Sequence, residues 1–455
     1  MKIVIVGAGK VGVALTRHLA VENRVTVIDQ NPHLVENIIN IYDVMGVCGN
    51  GASYDVQKEA DVEQADLLIA TTSSDEINIL TCLVAKKMGV QHTIARIRSP
   101  EYGRQLRFMR SELGLSMAIN PEAATAREIA RVLRFPTAMK LESFSKGRLE
   151  LVEYRVAEHT ALDGTRLSEL YRNFKVRVLI CAVARQGETI IPSGDFTLRA
   201  GDKIYLTAAP RELEKFFRLL GVFRARASSV MIVGASKMCY YLASELLEMG
   251  MSVKIIDQNE QRCVEMSEKL PRALVIVGDG TDSELLSEEG ISQTDAFVAI
   301  TGLDEANILM ALSAAKQSGD CCKVVAKINR KSLLELVSTE SLIDSVVSTG
   351  AVTTELILQY IRAMKNASAS KVKTLHRIVD EKVEALEFSV TPDISLAGVP
   401  LRDLNLKRGL LLAGIVRQNG QIVIPSGNDV LHLHDDVIVV TTDTQLEDLR
   451  DILAE

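Results

Sequence analysis

The chain has 455 residues, of which 47% are hydrophobic and 24% charged, with a formal net charge of -7. That length is too great for one core and suits about three or four domains, and the acidic balance argues against a nucleic-acid binder working through a broad basic face. No stretch approaches the roughly 20 apolar residues that span a bilayer, and Met1 leads straight into a strand and a glycine turn with no secretory cleavage site.

In chain order, residues 2–6 are a continuous β-branched run, the pattern of a strand covered on both faces. Gly7-Ala8-Gly9-Lys10-Val11-Gly12 follows and opens an amphipathic run, Val13 to Ala20. Arg24 to Asp29 is a strand ending in an acid. Val44 to Cys48 reads as strand, Ser53 to Ala60 as helix, Leu67 to Ala70 as strand and Glu76 to Met88 as helix. Thr93 to Ile97 and Met117 to Ile119 read as the last two strands, and Pro121 to Leu133 as a helix with proline in its first turn. This alternation predicts a parallel sheet wrapped by helices on both sides.

A lone Gly-x-Gly-x-x-Gly carries little information. Here it follows a strand, opens a helix and is trailed by Asp29 about 20 residues on, at the end of the second strand, which is the dinucleotide-binding arrangement. Gly7 permits the tight turn, Gly9 lets the backbone approach a pyrophosphate, and Gly12 lets the helix pack close to the sheet. The helix start offers unpaired N–H groups to phosphates. Asp29, with Gln30 beside it, suits ribose hydroxyls and repels a 2′-phosphate, which favours NAD(H) over NADP(H). Asn50 and Gly51, after the third strand, border the expected adenine position. Thr71, Thr72 and Ser73, after the fourth, face the phosphate or nicotinamide side, although Thr72-Ser73-Ser74 also reads as a helix cap before Asp75. Arg96 and Arg98 share one side of the fifth strand's end, as phosphate contacts or as surface ion pairs. Lys10 reaches a terminal phosphate or is simply solvated, which keeps ATP and ADP open as ligands.

From about Lys140 the pattern changes. Leu149 to Val156 alternates as a strand, Ala161 to Leu170 reads as a turn and short helix, Arg177 to Arg185 and Glu188 to Ile191 form a hairpin around Gln186-Gly187, Asp202 to Thr207 is a strand and Pro210 to Leu220 a helix. Gly221 to Ser229, with Arg224 and Arg226, reads as a polar linker. The whole plan then repeats. Val4 to Ala8 returns as Met231 to Ala235, Val27 to Asn31 as Ile255 to Asn259, Asp75-Glu76-Ile77-Asn78 as Asp304-Glu305-Ala306-Asn307, and Ile191-Pro192-Ser193-Gly194 as Ile424-Pro425-Ser426-Gly427. The second small module runs from Val383 to Ile452, and His432 and His434 fall on one side of a possible strand in it. The expected domains are therefore 1–138, 139–227, 228–370 and 371–455. The seven cysteines, Cys48, Cys82, Cys181, Cys239, Cys263, Cys321 and Cys322, include no Cys-x-x-Cys pair. They read as reduced core thiols of a cytosolic protein and support neither a metal nor a disulfide function.

With Val6 to Gly12, Thr72 to Glu76, Ala95 to Tyr102 and the two Ile-Pro-Ser-Gly turns in place, the chain resembles, over essentially its whole length, the TrkA family of regulatory subunits of Trk potassium-uptake systems. The resemblance implies an α/β protein of two RCK units, each a Rossmann-like nucleotide-binding lobe (TrkA-N) followed by a small α+β lobe (TrkA-C). It implies a non-catalytic cytoplasmic homo-oligomer, a dimer or tetramer forming a gating ring under a membrane potassium-translocating subunit of TrkH type and biased by NAD(H) or by ATP/ADP. The family's dinucleotide residues fall on Gly7 to Val11, Asp29, Thr72, Ser73 and Arg96. Counterparts in the second unit are Gly234, Ser236, Lys237, Met238, Asp257, Asp279, Thr301 and Lys327. That unit departs from the pattern: Gly9 becomes Ser236 and Gly12 becomes Cys239. The first site is expected to bind well, and the second to bind weakly, bind differently or stay empty. Two rival readings remain. One is an NAD-dependent dehydrogenase, for which no Tyr-x-x-x-Lys, metal cluster or His-carboxylate constellation stands out. The other is an RCK regulator of a different cation carrier.

Overall fold

The first lobe alternates strand and helix: β1 (Lys2–Val6), α1 (Lys10–Leu19), β2 (Arg24–Asp29), α2 (Pro32–Tyr42), β3 (Met45–Cys48), α3 (Tyr54–Glu59), β4 (Leu67–Ala70), α4 (Asp75–Lys87), β5 (His92–Arg96), β6 (Met117–Ile119) and α5 (Pro121–Arg134). The computed structural model describes residues 1–99, 102, 113–135, 137–222, 227–319, 322–337, 343–366, 372–379, 382–391, 396–443, 446 and 448–454. Arg224 and Arg226 of the expected linker, and Cys321, lie outside them.

The six strands form one parallel sheet in the order β3-β2-β1-β4-β5-β6. Ile3, Val4 and Ile5 of β1 and Leu67, Leu68 and Ile69 of β4 are fully buried, because central parallel strands are covered by helices on both faces. Strand order reverses between β1 and β4. In sheets of this kind ligands bind at that reversal, outside the carboxyl ends of the strands.

The first small lobe comprises β7 (Lys140–Phe144), β8 (Leu149–Arg155), α6 (Leu170–Phe174), β9 (Leu179–Arg185), β10 (Glu188–Ile190), β11 (Lys203–Ala208) and α7 (Pro210–Leu219). Its sheet runs β10-β9-β11-β8-β7, antiparallel throughout. The second Rossmann-like lobe repeats the first: β12 (Ser229–Val233), α8 (Lys237–Glu248), β13 (Ser252–Asp257), α9 (Glu260–Lys269), β14 (Leu274–Val277), α10 (Ser283–Glu288), β15 (Ala296–Ala299), α11 (Asp304–Ser318), β16 (Lys323–Lys327), α12 (Lys331–Val337), β17 (Ser345–Val347) and α13 (Thr349–Asn366). Its sheet has the same order, β14-β13-β12-β15-β16-β17. The last lobe has β18 (Val372–Ile378), β19 (Val383–Ser389), β20 (Leu410–Val416), β21 (Ile422–Val423) and β22 (Asp436–Thr441), arranged β18-β19-β22-β20-β21. The protein is thus two Rossmann-like α/β lobes, each followed by a small α+β lobe.

The chain divides into two compact units, Met1–Ala130 with Ser228–Leu356, and Arg131–Ala227 with Ile357–Glu455. Each unit holds one copy of the same lobe from each half. In the small-lobe unit the copies share a core. Phe144, Leu149, Leu151, Cys181 and Tyr205 of the first pack with Ile378, Val383, Ala385, Ala413 and Ile438 of the second. Glu142 on β7 meets His376 on β18 at 2.8 Å, and Ser145 donates its hydroxyl to Glu387 at 2.7 Å.

One expectation fails here. His432 and His434 lie in a turn before β22, not on a strand. His434 takes a left-handed φ of 66, and the His432 ring stands 2.8 Å from the Arg417 guanidinium. The cysteines among the described residues are buried, except Cys48, which is exposed.

Candidate nucleotide-binding site

At the reversal point of the first sheet, the turn after β1 is built by glycines with unequal reasons. Gly7 has a left-handed φ of 106, and a Cβ there would lie 2.9 Å from the Thr71 and Thr72 backbone. A Cβ on Gly12 would lie 1.8 Å from the Gly7 carbonyl oxygen. The chain itself therefore requires both. Gly9 differs: its φ of -73 and ψ of -175 suit any residue, and a Cβ there meets nothing within 4 Å. The room above Gly9 is open to solvent. Among the described residues its N–H has no partner, and α1 has no side-chain cap, so the first-turn donors face the crevice. Lys10 is exposed on this helix start, whereas Ala8, Val11 and Gly12 are buried.

Asp29 has a structural task as well. One carboxylate oxygen accepts from the Ala8 N–H at 2.6 Å and the other from Asn31 N–H at 2.8 Å, which stitches the end of β2 to the glycine turn. A carboxylate has about four acceptor positions, so capacity for ribose hydroxyls remains. Gln30 and Asn50 are exposed beside it, and the Asn50 side chain accepts from Ala52 N–H at 3.1 Å. Gly51 answers to packing, since a Cβ there would lie 2.1 Å from Val6 Cγ1.

The far side of the crevice is organised by a residue that motif reading did not single out. Asn78 on α4 is fully buried. Its side-chain oxygen accepts from Thr72 N–H at 2.8 Å and from the Thr72 hydroxyl at 2.7 Å. Its amide donates to the Arg96 carbonyl at 2.9 Å. Asn78 thus ties β4 to β5 at the crevice. Asp75 plays a similar part: one oxygen accepts from Arg98 N–H at 2.9 Å and Ser99 N–H at 2.8 Å. Ser74 caps α4 through Ile77 N–H at 3.2 Å, while Thr71 is buried and Ser73 exposed. The signal for Asp75 and Asn78 lay in the repeat itself, which returns them as Asp304 and Asn307.

The two arginines separate. The Arg98 side chain pairs with Glu122 at 2.5 Å. Arg96 donates to the Thr72 carbonyl, and its Nε is buried without a hydrogen-bond partner. Burial, and then the neighbouring Arg98, push the Arg96 guanidinium below its ordinary value. A buried cation with an unspent donor, on the rim of the crevice, suits an anion.

The second copy keeps the scaffold and changes the turn. Gly234 has a φ of 112, Asp257 accepts from Ala235 N–H at 2.7 Å and Asn259 N–H at 2.8 Å, and Asn307 binds Thr301 N–H at 2.9 Å and the Lys327 carbonyl at 2.9 Å. At Ser236, however, the backbone N–H is spent on the Gly234 carbonyl at 2.9 Å, and the side chain caps α8 through Cys239 N–H at 3.4 Å. Cys239 and Met238 are buried and Lys237 is exposed. Asp279 turns inward to Thr281, accepting from its N–H at 2.9 Å and hydroxyl at 2.8 Å, which holds its carboxyl below the ordinary value. The donors and the room found at Gly9 are used up here.

The two lobes of this unit bring their charges together. Burial lowers the Lys327 ammonium from its ordinary value, Asp304 and Glu122 oppose the shift, and Lys10 and Arg98 of the first lobe add to it. Glu76 of the first lobe is held below its ordinary value chiefly by the Ser74 hydroxyl, with Lys237 adding the smallest part.

Family models agree with this geometry. The TrkA-N domain matches residues 3–121 and 230–349, and the TrkA-C domain residues 151–221 and 385–454. The chain belongs to the TrkA family. Trk system potassium uptake protein TrkA homolog of Archaeoglobus fulgidus is 32% identical over 453 residues, covering 99% of this chain and 100% of the relative. Trk system potassium uptake protein TrkA of Vibrio alginolyticus is 32% identical over 448 residues, 97% of this chain and 94% of that one. Among solved structures, the GsuK channel bound to NAD aligns with a TM-score of 0.62 at 20% identity, over 98% of this chain and 77% of the other. That likeness is one of fold.

Proposed function

We propose that this TrkA-family chain is a non-catalytic regulatory subunit that binds NAD(H), or alternatively ATP or ADP, in its first Rossmann-like lobe and gates a membrane potassium-translocating partner of TrkH type. The observation that carries the nucleotide part is Gly9: an ordinary backbone conformation, open room and an unspent N–H at a helix start. These suit a pyrophosphate or polyphosphate. In this reading the turn from Gly7 to Gly12, with Lys10 and Arg96, holds the phosphates, and Arg98 flanks them. Asp29 and Gln30 hold the ribose, Asn50 and Gly51 border the adenine, and Thr71, Thr72 and Ser73 line the remaining wall. The second site, at Gly234, Ser236, Lys237, Met238, Asp257, Asp279, Thr301 and Lys327, is the weaker.

The potassium part is supported by the full-length relatives, which are potassium uptake proteins. Among the described residues no helix is long and apolar enough to cross a membrane; in this reading the pore belongs to a partner. We read the subunit as a homo-oligomeric ring at the inner face of the membrane. Ligand binding shifts such an assembly only by its differential affinity for two states.

Titration of the purified chain with NADH, NAD, ATP and ADP tests the reading, with Gly9→Ser as control. Asp29→Ala is the poorer control, because it also releases Ala8 and Asn31 from the turn. Saturable binding that Gly9→Ser weakens is the expected result; no binding of any of the four, or turnover of a 2-hydroxy or amino acid with NAD, would overturn it.

A further inference from the structure

Both backbone polar groups of Arg98 are held. Its N–H is gripped by Asp75 of the same lobe. Its carbonyl is gripped from the other lobe: the Tyr241 hydroxyl, on α8, donates to it at 3.1 Å. Asn120 stands between, donating to the Tyr241 hydroxyl oxygen at 2.8 Å and to the same carbonyl at 3.3 Å. The Asn120 side-chain oxygen meanwhile accepts from Ala123 N–H at 2.8 Å at the start of α5. Tyr241 lies one turn into the helix that the second glycine turn opens. That helix is therefore bonded directly to the strand end carrying Arg96 and Arg98.

The link has no mirror image. By the repeat, Tyr241 corresponds to Ala14 and Asn120 to Ser348. An alanine has no hydroxyl to give, so the second site lacks the matching clamp, although it keeps the Asp304 grip on Asn329 and Arg330 N–H at 3.0 and 2.9 Å. Tyr241 is half-buried, and burial raises its hydroxyl above the ordinary value, so it remains a donor across the physiological range.

We propose that Tyr241 is a positioning residue for the first nucleotide site, through which the glycine-turn helix of the second lobe sets the affinity of the first. The inference rests on the reading of the Gly7–Gly12 turn as a nucleotide site. Movement of α8 is passed to the Arg98 carbonyl, and from there to Arg96, whose guanidinium and carbonyl are tied to Thr72 and Asn78. The coupling is one-sided in its hardware and reciprocal in its energetics, as linkage requires.

The test is calorimetric titration of the full chain with NADH, NAD, ATP and ADP, in parallel with melting of the unliganded protein. Tyr241→Phe keeps the ring and removes the bond. It is expected to weaken binding about three- to tenfold and to lower the melting temperature of the unliganded chain only slightly. Asn120→Asp keeps the acceptor for Ala123 and removes the donor, and its effect is expected to be non-additive with Tyr241→Phe. If the wild type binds, Gly9→Ser weakens that binding and Tyr241→Phe binds like the wild type, the inference is wrong and the nucleotide site stands. A lower melting temperature with unchanged affinity makes Tyr241 merely structural and also overturns it. If the wild type binds none of NADH, NAD, ATP and ADP, the site reading itself has failed.

Discussion

Gly9→Ser transplants the second copy's residue into the first, and the structure sets two opposite expectations for it. The unliganded chain should tolerate the change. The backbone at Gly9 is extended, the new Cβ meets nothing within 4 Å, and a serine at the cap position of α1 can accept from a first-turn N–H, as Ser236 does for Cys239. A serine cap stabilises relative to glycine by a few tenths of a kcal/mol, so the urea midpoint should hold or rise slightly. Binding should suffer, because a side chain now fills the place where a phosphate meets the backbone. Overfilling a tight contact costs about 1–3 kcal/mol, roughly a 5- to 150-fold loss of affinity. Titration calorimetry with NADH and ADP, alongside urea unfolding of the unliganded chain, separates the two effects. Wild-type affinity in Gly9→Ser would refute the reasoning, since it would mean that no ligand approaches this turn. A large loss of stability would refute the claim that the chain does not itself need this glycine.

The neighbouring glycine should behave in the opposite way. Gly12→Ala drives a Cβ into the Gly7 carbonyl, 1.8 Å away, and is expected to destabilise the unliganded protein by about 3 kcal/mol; an unchanged urea midpoint would show that α1 can move off the sheet freely. Asn78→Ala removes a buried hub of four hydrogen bonds to Thr72 and Arg96 and should cost about 2–4 kcal/mol, with Thr71 to Ser73 amides losing protection in hydrogen exchange first. In the small-lobe unit, burial opposes the charge of Glu142, but Lys140, His376 and Arg131 outweigh it and hold its carboxyl below the ordinary 4.5. Its contribution to stability is therefore complete above pH 4.5 and lost as the pH falls further. Glu142→Gln should flatten that acid limb of a urea-midpoint profile, and a parallel, merely shifted limb would refute the assignment.

How far the sequence could be read depended on whether a feature was local. The glycine turn, Asp29 and the strand–helix alternation are local, and the internal repeat doubled every observation, so the Rossmann-like lobes were legible. Helix α2 escaped although Leu34, Val35, Ile38, Ile39 and Ile41 recur at helical spacing, with Leu34, Ile39 and Ile41 exposed. Its start was nonetheless marked by Asn31-Pro32, a side-chain cap followed by proline. The repeat flagged Asp75 and Asn78 without revealing their roles, because each binds backbone about twenty residues away, across two strands. The alternation at His432 and His434 misled, since a turn with one residue at positive φ can mimic a short strand in pattern. Tyr241 could not be read at all: its counterpart in the other copy is an alanine, and its partner lies 143 residues distant.

The pairing of like lobes within one polypeptide has a consequence for how such a protein can diversify. In a symmetric dimer of single-unit chains every substitution appears on both sides of the dyad at once. Ser236 in such an assembly would close both turns, and a cysteine in place of Gly12 would disturb both helices. Joined end to end, the two copies mutate independently, so one can keep its glycines while the other trades them for a helix cap and a buried thiol. The linked chain can thus hold two unequal halves as permanent partners, and the Tyr241 contact is a bond that only such an unequal pair can make once.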